Sequence, residues 1–245
     1  MNVVLLAREE VGPDATVRLV DARARHVIDV LRVTPGQDVR VGIVDGPLGI
    51  GTVTTVGDAS VELQCAFDAT IPPRPAIDLL LALPRPKVMR RLWAQLAALG
   101  VGRIILTNAE RVERHYFDAH VLSPDIYTPL LIEGLQQARD TRVPLVTIAR
   151  RFKPFIEDEL DILCPDTARI VLQPGSAAPL GDLVRNASRT RVLLAIGPEG
   201  GWNDFELTLL RVHGFAEAGM GPRTLRTDTA CVAALAVVGA AGRRR

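Results

Sequence analysis

At 245 residues, 48% hydrophobic and 23% charged, the chain has an ordinary globular balance and room for one large domain, or a medium one plus a small one. Net charge is only +1 but unevenly divided: residues 1–70 hold 6 basic and 10 acidic side chains, and residues 71–245 hold 23 and 18. A polyanion is therefore drawn mainly to the larger part, while composition excludes a disordered or repeat protein.

Residues 1–70 read as a small β-rich unit. Runs at 39–44, 51–56 and 61–65 carry β-branched residues between D-G-P-L-G and G-D turns. One helix is expected over 22–31, with His26, Val27, Val30 and Leu31 sharing a face. Short strands with one helix fit a small barrel. The segment T-I-P-P-R-P-A (70–76) cannot continue a sheet, so the expected domains are 1–70 and 71–245.

From Ile77 strands and helices alternate. Strands are expected at 77–83, 104–106, 145–148, 170–172, 192–196 and around Ala218 and Met220. Helices are expected at 87–99, 127–138, 155–163 and 180–184, and Asn203 with Glu206 forms a capping-box pattern for a further one ending near His213 and Gly214. Thr227 or Asp228 can cap a final helix, apolar nearly all round through Ala230, Val232, Ala233, Leu235, Ala236, Val237 and Val238. Such a helix must be buried, and a subunit interface is one place for it. The fold class is α/β with a mostly parallel sheet.

Two apolar runs between Arg191 and Ala230 end in glycine-bearing loops, I-G-P-E-G-G-W and A-G-M-G-P-R-T-L-R-T-D-T-A, each leading into a helix. Free backbone N–H groups there suit a ligand lying close to the chain. A plain strand-to-helix turn with packing glycines competes with that reading. Phosphate-binding fingerprints of the P-loop and Rossmann types are absent. Cys65, Cys164 and Cys231 are odd in number and far apart, which argues for buried thiols rather than a disulfide framework or zinc, and His115 with His120 lacks ligand spacing, so no metal is expected. The N-terminus M-N-V-V-L-L-A-R-E-E is unlike a signal peptide, and the apolar run 229–241 is shorter than the roughly 20 residues of a membrane span. A cytoplasmic protein is expected.

I-G-P-E-G-G-W-x-x-x-E followed by G-x-R-x-L-R-T-D-T-A resembles the knotted SPOUT methyltransferases, and more narrowly the bacterial 16S rRNA uracil-N3 methyltransferase family. Residues 26–36 resemble that family's H-x-x-x-V-L-R-x-x-x-G, and residues 81–101 its lysine, amphipathic helix and L-G-V exit. The resemblance implies a SPOUT fold with a C-terminal trefoil knot, a PUA-like barrel before it, and a homodimer closed by the final helix. It also implies S-adenosylmethionine held by loops 172–175, 196–201 and 220–226, with Leu172, Ile196, Gly197, Glu199, Gly201, Met220, Gly221, Leu225 and Arg226 as its binding residues.

The implied reaction is methyl transfer to N3 of a uridine in 16S rRNA, an in-line displacement in which the protein's main task is positioning. Uracil N3 is a poor nucleophile until its imide proton leaves, so a cation near O2 or O4 stabilises the anion. Arg226 is the candidate for this task or for a phosphate contact, against a salt bridge to Glu199 or Asp228. Glu199, the second catalytic candidate, either accepts a hydrogen bond from the ligand or caps the next helix. Arg223 is a lesser candidate, and Arg85, Lys87, Arg90 and Arg91 either engage phosphates or form a solvated face. Ala138, Arg139 and Asp140 stand where the family carries Ser-Gly-Arg, and the N-terminal part is acidic. Those departures keep two alternatives open: methylation of another RNA nucleotide, and a non-catalytic RNA-binding assembly factor.

Overall fold

A computed structural model describes residues 2–242. Two compact units emerge, Met1–Arg74 with Ile132–Val143, and Pro75–Leu131 with Pro144–Arg245. Residues 132–143, expected within the larger domain, thus cluster with the first unit.

The first unit contains β1 (Val4–Leu6), β2 (Thr16–Leu19), α1 (Ala22–Arg25), a π-helical turn at His26–Val30, β3 (Asp38–Ile43), β4 (Leu48–Val56) and β5 (Val61–Phe67). Its sheet runs β1-β3-β4-β5-β2, with β1 parallel to β3 and the other pairs antiparallel. This is a half-barrel with one buried face: Val17, Leu19, Val61, Leu63 and Cys65 alternate inward with Val39, Val41 and Val53. Strands β1 and β2 were not expected, because three and four residues carry too little alternation to register. The shared helical face also needs correction. Val30 and Leu31 are exposed while Ala24 and Val27 are buried, since the π turn rotates residues beyond His26 away from the α-helical face.

Within residues 132–143, Arg139 has φ 59°, the left-handed conformation that glycine adopts without strain just beyond a helix. That is the place of the glycine in the family's Ser-Gly-Arg. Asp140 Oδ1 accepts from the N–H of Thr141 (2.6 Å) and of Arg142 (3.0 Å), so the acidic replacement builds the turn. Arg142 is committed to Asp45, its Nη1 lying 3.0 Å from the carbonyl oxygen.

The second unit contains β6 (Ile77–Ala82), α2 (Pro86–Ala98), β7 (Val101–Thr107), the start of α3 (Pro124–Ala138), β8 (Leu145–Ala149), α4 (Phe152–Pro154), α5 (Leu160–Leu163), β9 (Thr167–Leu172), α6 (Leu180–Asn186), β10 (Arg191–Ile196), α7 (Asp204–Val212), β11 (Ala216–Ala218) and α8 (Thr227–Gly242). Its sheet order is β11-β9-β10-β6-β7-β8 and every pair is parallel. Continuous apolar strands follow from that geometry, since helices cover both faces. One charge breaks the run in β6. Asp78 is buried and takes a bidentate bond from Arg191 of β10 at 2.6 and 3.1 Å, which offsets its desolvation and pins the central strand pair.

Helix α2 buries Met89, Leu92, Trp93 and Leu96, and Gly100 ends it at φ 77°. The helix expected at 155–163 instead starts at Phe152 and passes through a π turn at Phe155–Glu159. Helix α8 differs from expectation in two ways. It opens on Thr227 and Asp228 rather than following them, and it buries only one side. Cys231, Ala234, Leu235 and Val238 are inside, whereas Val232, Ala236 and Val237 are exposed in the single chain.

The half-barrel's polar anchor is Arg23, which donates to Leu5 O at 2.7 Å and to the carboxylates of Glu10 and Asp21. Its guanidinium holds both carboxyls below their ordinary range. A depressed carboxyl contributes stability that is full above its unfolded value near ~4 and is lost as pH falls through the folded one. Replacing Arg23 with Met should cost about 1 kcal/mol near neutral pH, a figure kept small by partial exposure. Urea unfolding checks it: the gap between variant and wild type is present at about pH 7 and narrows at about pH 3. An equal gap at both would mean that Arg23 acts through packing alone.

Candidate functional site

Strand β9 pairs with β10 on one side and β11 on the other, with Ala195 opposite Val171 and Ala218 opposite Leu172. Three carboxyl ends therefore lie abreast at about 4.8 Å spacing, where parallel α/β sheets bind ligands. The loops that follow are stitched together. Gln173 N–H donates to Ala218 O (3.0 Å), Gly219 N–H to Ala178 O (2.8 Å) and Leu180 N–H to Gly219 O (3.1 Å). A Cβ on Gly219 would come within 2.3 Å of Ser176 O, so only glycine permits this approach.

The middle loop is equally constrained. Gly201 has φ 76° and its N–H donates to Pro198 O at 2.8 Å. Arg111 donates to Gly200 O, and a Cβ on Gly200 would meet the Arg111 side chain at 2.8 Å. Gly197 lies against the Trp202 indole, which is buried and stacks on Phe152 with centroids 5.4 Å apart. The expected capping box is present: Asn203 Oδ1 accepts from Glu206 N–H (2.8 Å) and Glu206 Oε2 from Asn203 N–H (2.9 Å). The other Glu206 oxygen accepts from Glu110 N–H at 2.7 Å. One buried carboxylate thus joins the loop after β7 to the loop after β10.

These loops enclose a cavity of about 200 Å³. Of the sequence-predicted binding residues, Leu172, Ile196, Gly197, Glu199, Gly201, Met220, Gly221 and Leu225 line it. Arg226 does not: it is exposed at the start of α8, while Arg223 is on the wall. The competing salt bridges for Arg226 are taken elsewhere, since Glu199 faces Arg85 at 3.5 Å and Asp228 faces Arg91 at 3.1 Å. Glu199 does not cap α7, because Asn203 does. Arg111 and the second role of Glu206 were missed, and only the A-E-R run after β7 hinted at them.

Chemically, the cavity combines apolar walls with backbone groups, one carboxylate and one guanidinium. No cysteine is among its lining residues, and burial pushes the Cys231 thiol up to about 12 and the Cys164 thiol up to about 11. Nε1 of Trp202 is buried beside the cavity and has no hydrogen-bond partner among the described residues. A buried donor of that kind calls for a polar group on whatever fills the space.

Replacing Glu206 with Gln keeps the shape but sets an amide N–H₂ against one of two backbone donors. The expected cost is about 1–3 kcal/mol in urea unfolding, with lost protection of the Glu110 and Asn203 amides in hydrogen exchange. Unchanged protection would mean that the carboxylate does not hold the two loops.

Residues 72–239 match the model of the RNA methyltransferase domain family. The chain is 34% identical over 246 residues to the ribosomal RNA small subunit methyltransferase E of Treponema pallidum, covering 97% of this chain and 90% of that one. The protein of the same name from Mycobacterium bovis is 25% identical, covering 97% and 92%. A solved ribosomal RNA small subunit methyltransferase E from Neisseria gonorrhoeae, bound to S-adenosyl methionine, superposes with TM-score 0.75 at 23% identity over 98% and 97% of the two chains. That likeness shows the fold, an α/β unit with a parallel sheet that follows a small N-terminal β unit in the chain. Sequence and structure together place the chain in the RNA methyltransferase domain family, among the ribosomal RNA small subunit methyltransferase E proteins.

Proposed function

We propose that this chain transfers a methyl group from S-adenosylmethionine to N3 of a uridine in 16S rRNA. The carrying observation is the cavity built by three abutting loops, with a Trp202 Nε1 unpaired among the described residues at its side, a tight approach at Gly197 and a cradle at Gly219 that no side chain can fill. When bound, the cofactor would supply a sulfonium methyl for transfer by in-line displacement. Leu172, Ile196, Met220 and Leu225 would hold its apolar parts and keep water out, and Glu199 would accept a hydrogen bond from it. Arg226, which takes part in no ion pair among the described residues, would stabilise the negative charge on the uracil once its N3 proton has passed to solvent.

The proposal includes a homodimer in the cytoplasm. Its support is the apolar stripe of α8, where Val232 is 38% and Val237 36% exposed. No helix among the described residues is long and apolar enough to cross a membrane. A trefoil knot is part of the same reading. After β10 the chain passes over β9 to the edge strand β11, and α8 then returns to pack on α2, β6 and β10. Packing of the last helix against central strands supports that reading.

The experiment is methyl incorporation into small-subunit rRNA, followed by mass spectrometry of the nucleosides. 3-Methyluridine is the expected product, and another methylated nucleoside would overturn the base assignment. Arg226→Ala should lower incorporation by about 100-fold while leaving cofactor affinity within about threefold. An unchanged rate would remove Arg226 from the chemistry.

A further inference from the structure

The carboxyl ends of β7 and β8 carry features that methyl transfer leaves unused. Just beyond them two clefts share Asn108 and Arg114. One is walled by Arg150, Arg151 and Phe117, the other by Lys153, Phe205 and Glu206 at the start of α7. All strands of this sheet are parallel, so both clefts open on the edge that bears the three-loop cavity. Arg111, three residues after Asn108, reaches the middle loop of that cavity at Gly200 O.

Three observations point to one ligand chemistry. Charge is the first. Arg150 is engaged with Asp118 at 3.2 Å and Phe117 O at 2.8 Å, and Lys153 is 3.8 Å from Glu157. Arg114 and Arg151 are exposed and take part in no ion pair among the described residues. Of the carboxylates here, Glu206 is occupied by two backbone N–H groups, and Glu110 is left on the rim. The second observation is Phe205, 56% exposed and the one exposed phenylalanine among the described residues. The third is Asn108 Oδ1, buried with no donor to accept from among the described residues.

Free guanidiniums suit phosphates, an exposed ring suits an unstacked base, and a buried acceptor suits a hydroxyl or N–H donor. A base paired in a duplex cannot present its face to Phe205, whereas a single strand can, and its ribose 2′-hydroxyl is a donor that DNA lacks. We propose that these clefts hold single-stranded RNA beside the target nucleotide, with a base on Phe205, phosphates on Arg114 and Arg151, and a 2′-hydroxyl on Asn108. The proposal rests on the reading of the chain as an RNA methyltransferase and adds the form of the RNA and its track.

The test is fluorescence anisotropy of the full chain with a labelled single-stranded RNA of about 12 nucleotides, its DNA counterpart and its duplex. Phe205→Ala should weaken RNA binding roughly tenfold, and Phe205→Tyr should retain it. The R114A/R151A double variant should flatten the dependence of log affinity on log salt by about one to two. Asn108→Ala should bring RNA affinity toward that of DNA. Variants that bind RNA as the wild type does, or a wild type that prefers duplex, would overturn the proposal. Calorimetry with S-adenosylmethionine separates the two readings. A chain that binds the cofactor but is indifferent to all these changes sinks only the RNA track. A chain that binds RNA through them but not the cofactor sinks only the methyl-transfer assignment.

Discussion

The parallel pairing of β9 with both β10 and β11 is the constraint on which the site depends. Side-by-side carboxyl ends leave their loops no choice but to meet, and Gly219 against Ser176 O shows how close that meeting is. Had either pairing been antiparallel, one loop would leave from the opposite edge and no shared cavity would form. Glycine is therefore used here for contact as much as for turning.

Two buried carboxylates hold this arrangement. Asp78 fixes β6 against β10 through Arg191, and Glu206 fixes the loop after β10 to the loop after β7. Each ion loses several kcal/mol of solvation, so neither is retained for bulk stability. What they supply is placement: both Asp78 oxygens accept from Arg191, and both Glu206 oxygens accept from backbone N–H groups. Pre-set loops matter for a displacement reaction, whose rate depends on alignment more than on any acid or base. Arg226 and one side of α8 stand exposed, outside the packed scaffold.

Much of this was legible in the sequence. The β-branched runs marked β3 to β5, apolar continuity marked β6 and β10, and Asn203 with Glu206 announced α7. The paired glycine loops marked the cavity because their strands end in them. Other features were hidden for physical reasons. Strands β1 and β2 are too short to show a period, and the π turns after His26 and Phe155 change which residues face inward without changing composition. Arg111 contributes from a distant loop, so nothing local to the glycine motif could announce it. The composition of α8 said that it must be covered, but not that one side would stay exposed in the single chain. Asp140 looked like a lost basic contact until its bonds to Thr141 and Arg142 identified it as a turn former.

The central claim is that three loops, held in contact by a position that tolerates only glycine, form one cofactor pocket. Calorimetric titration with S-adenosylmethionine tests it on the wild type and on Gly219→Ala. The account predicts one binding event per chain for the wild type and at least about tenfold weaker binding for the variant, whose added methyl must part the loops. A wild type that gives no heat of binding, or a folded variant that binds equally well, would contradict it.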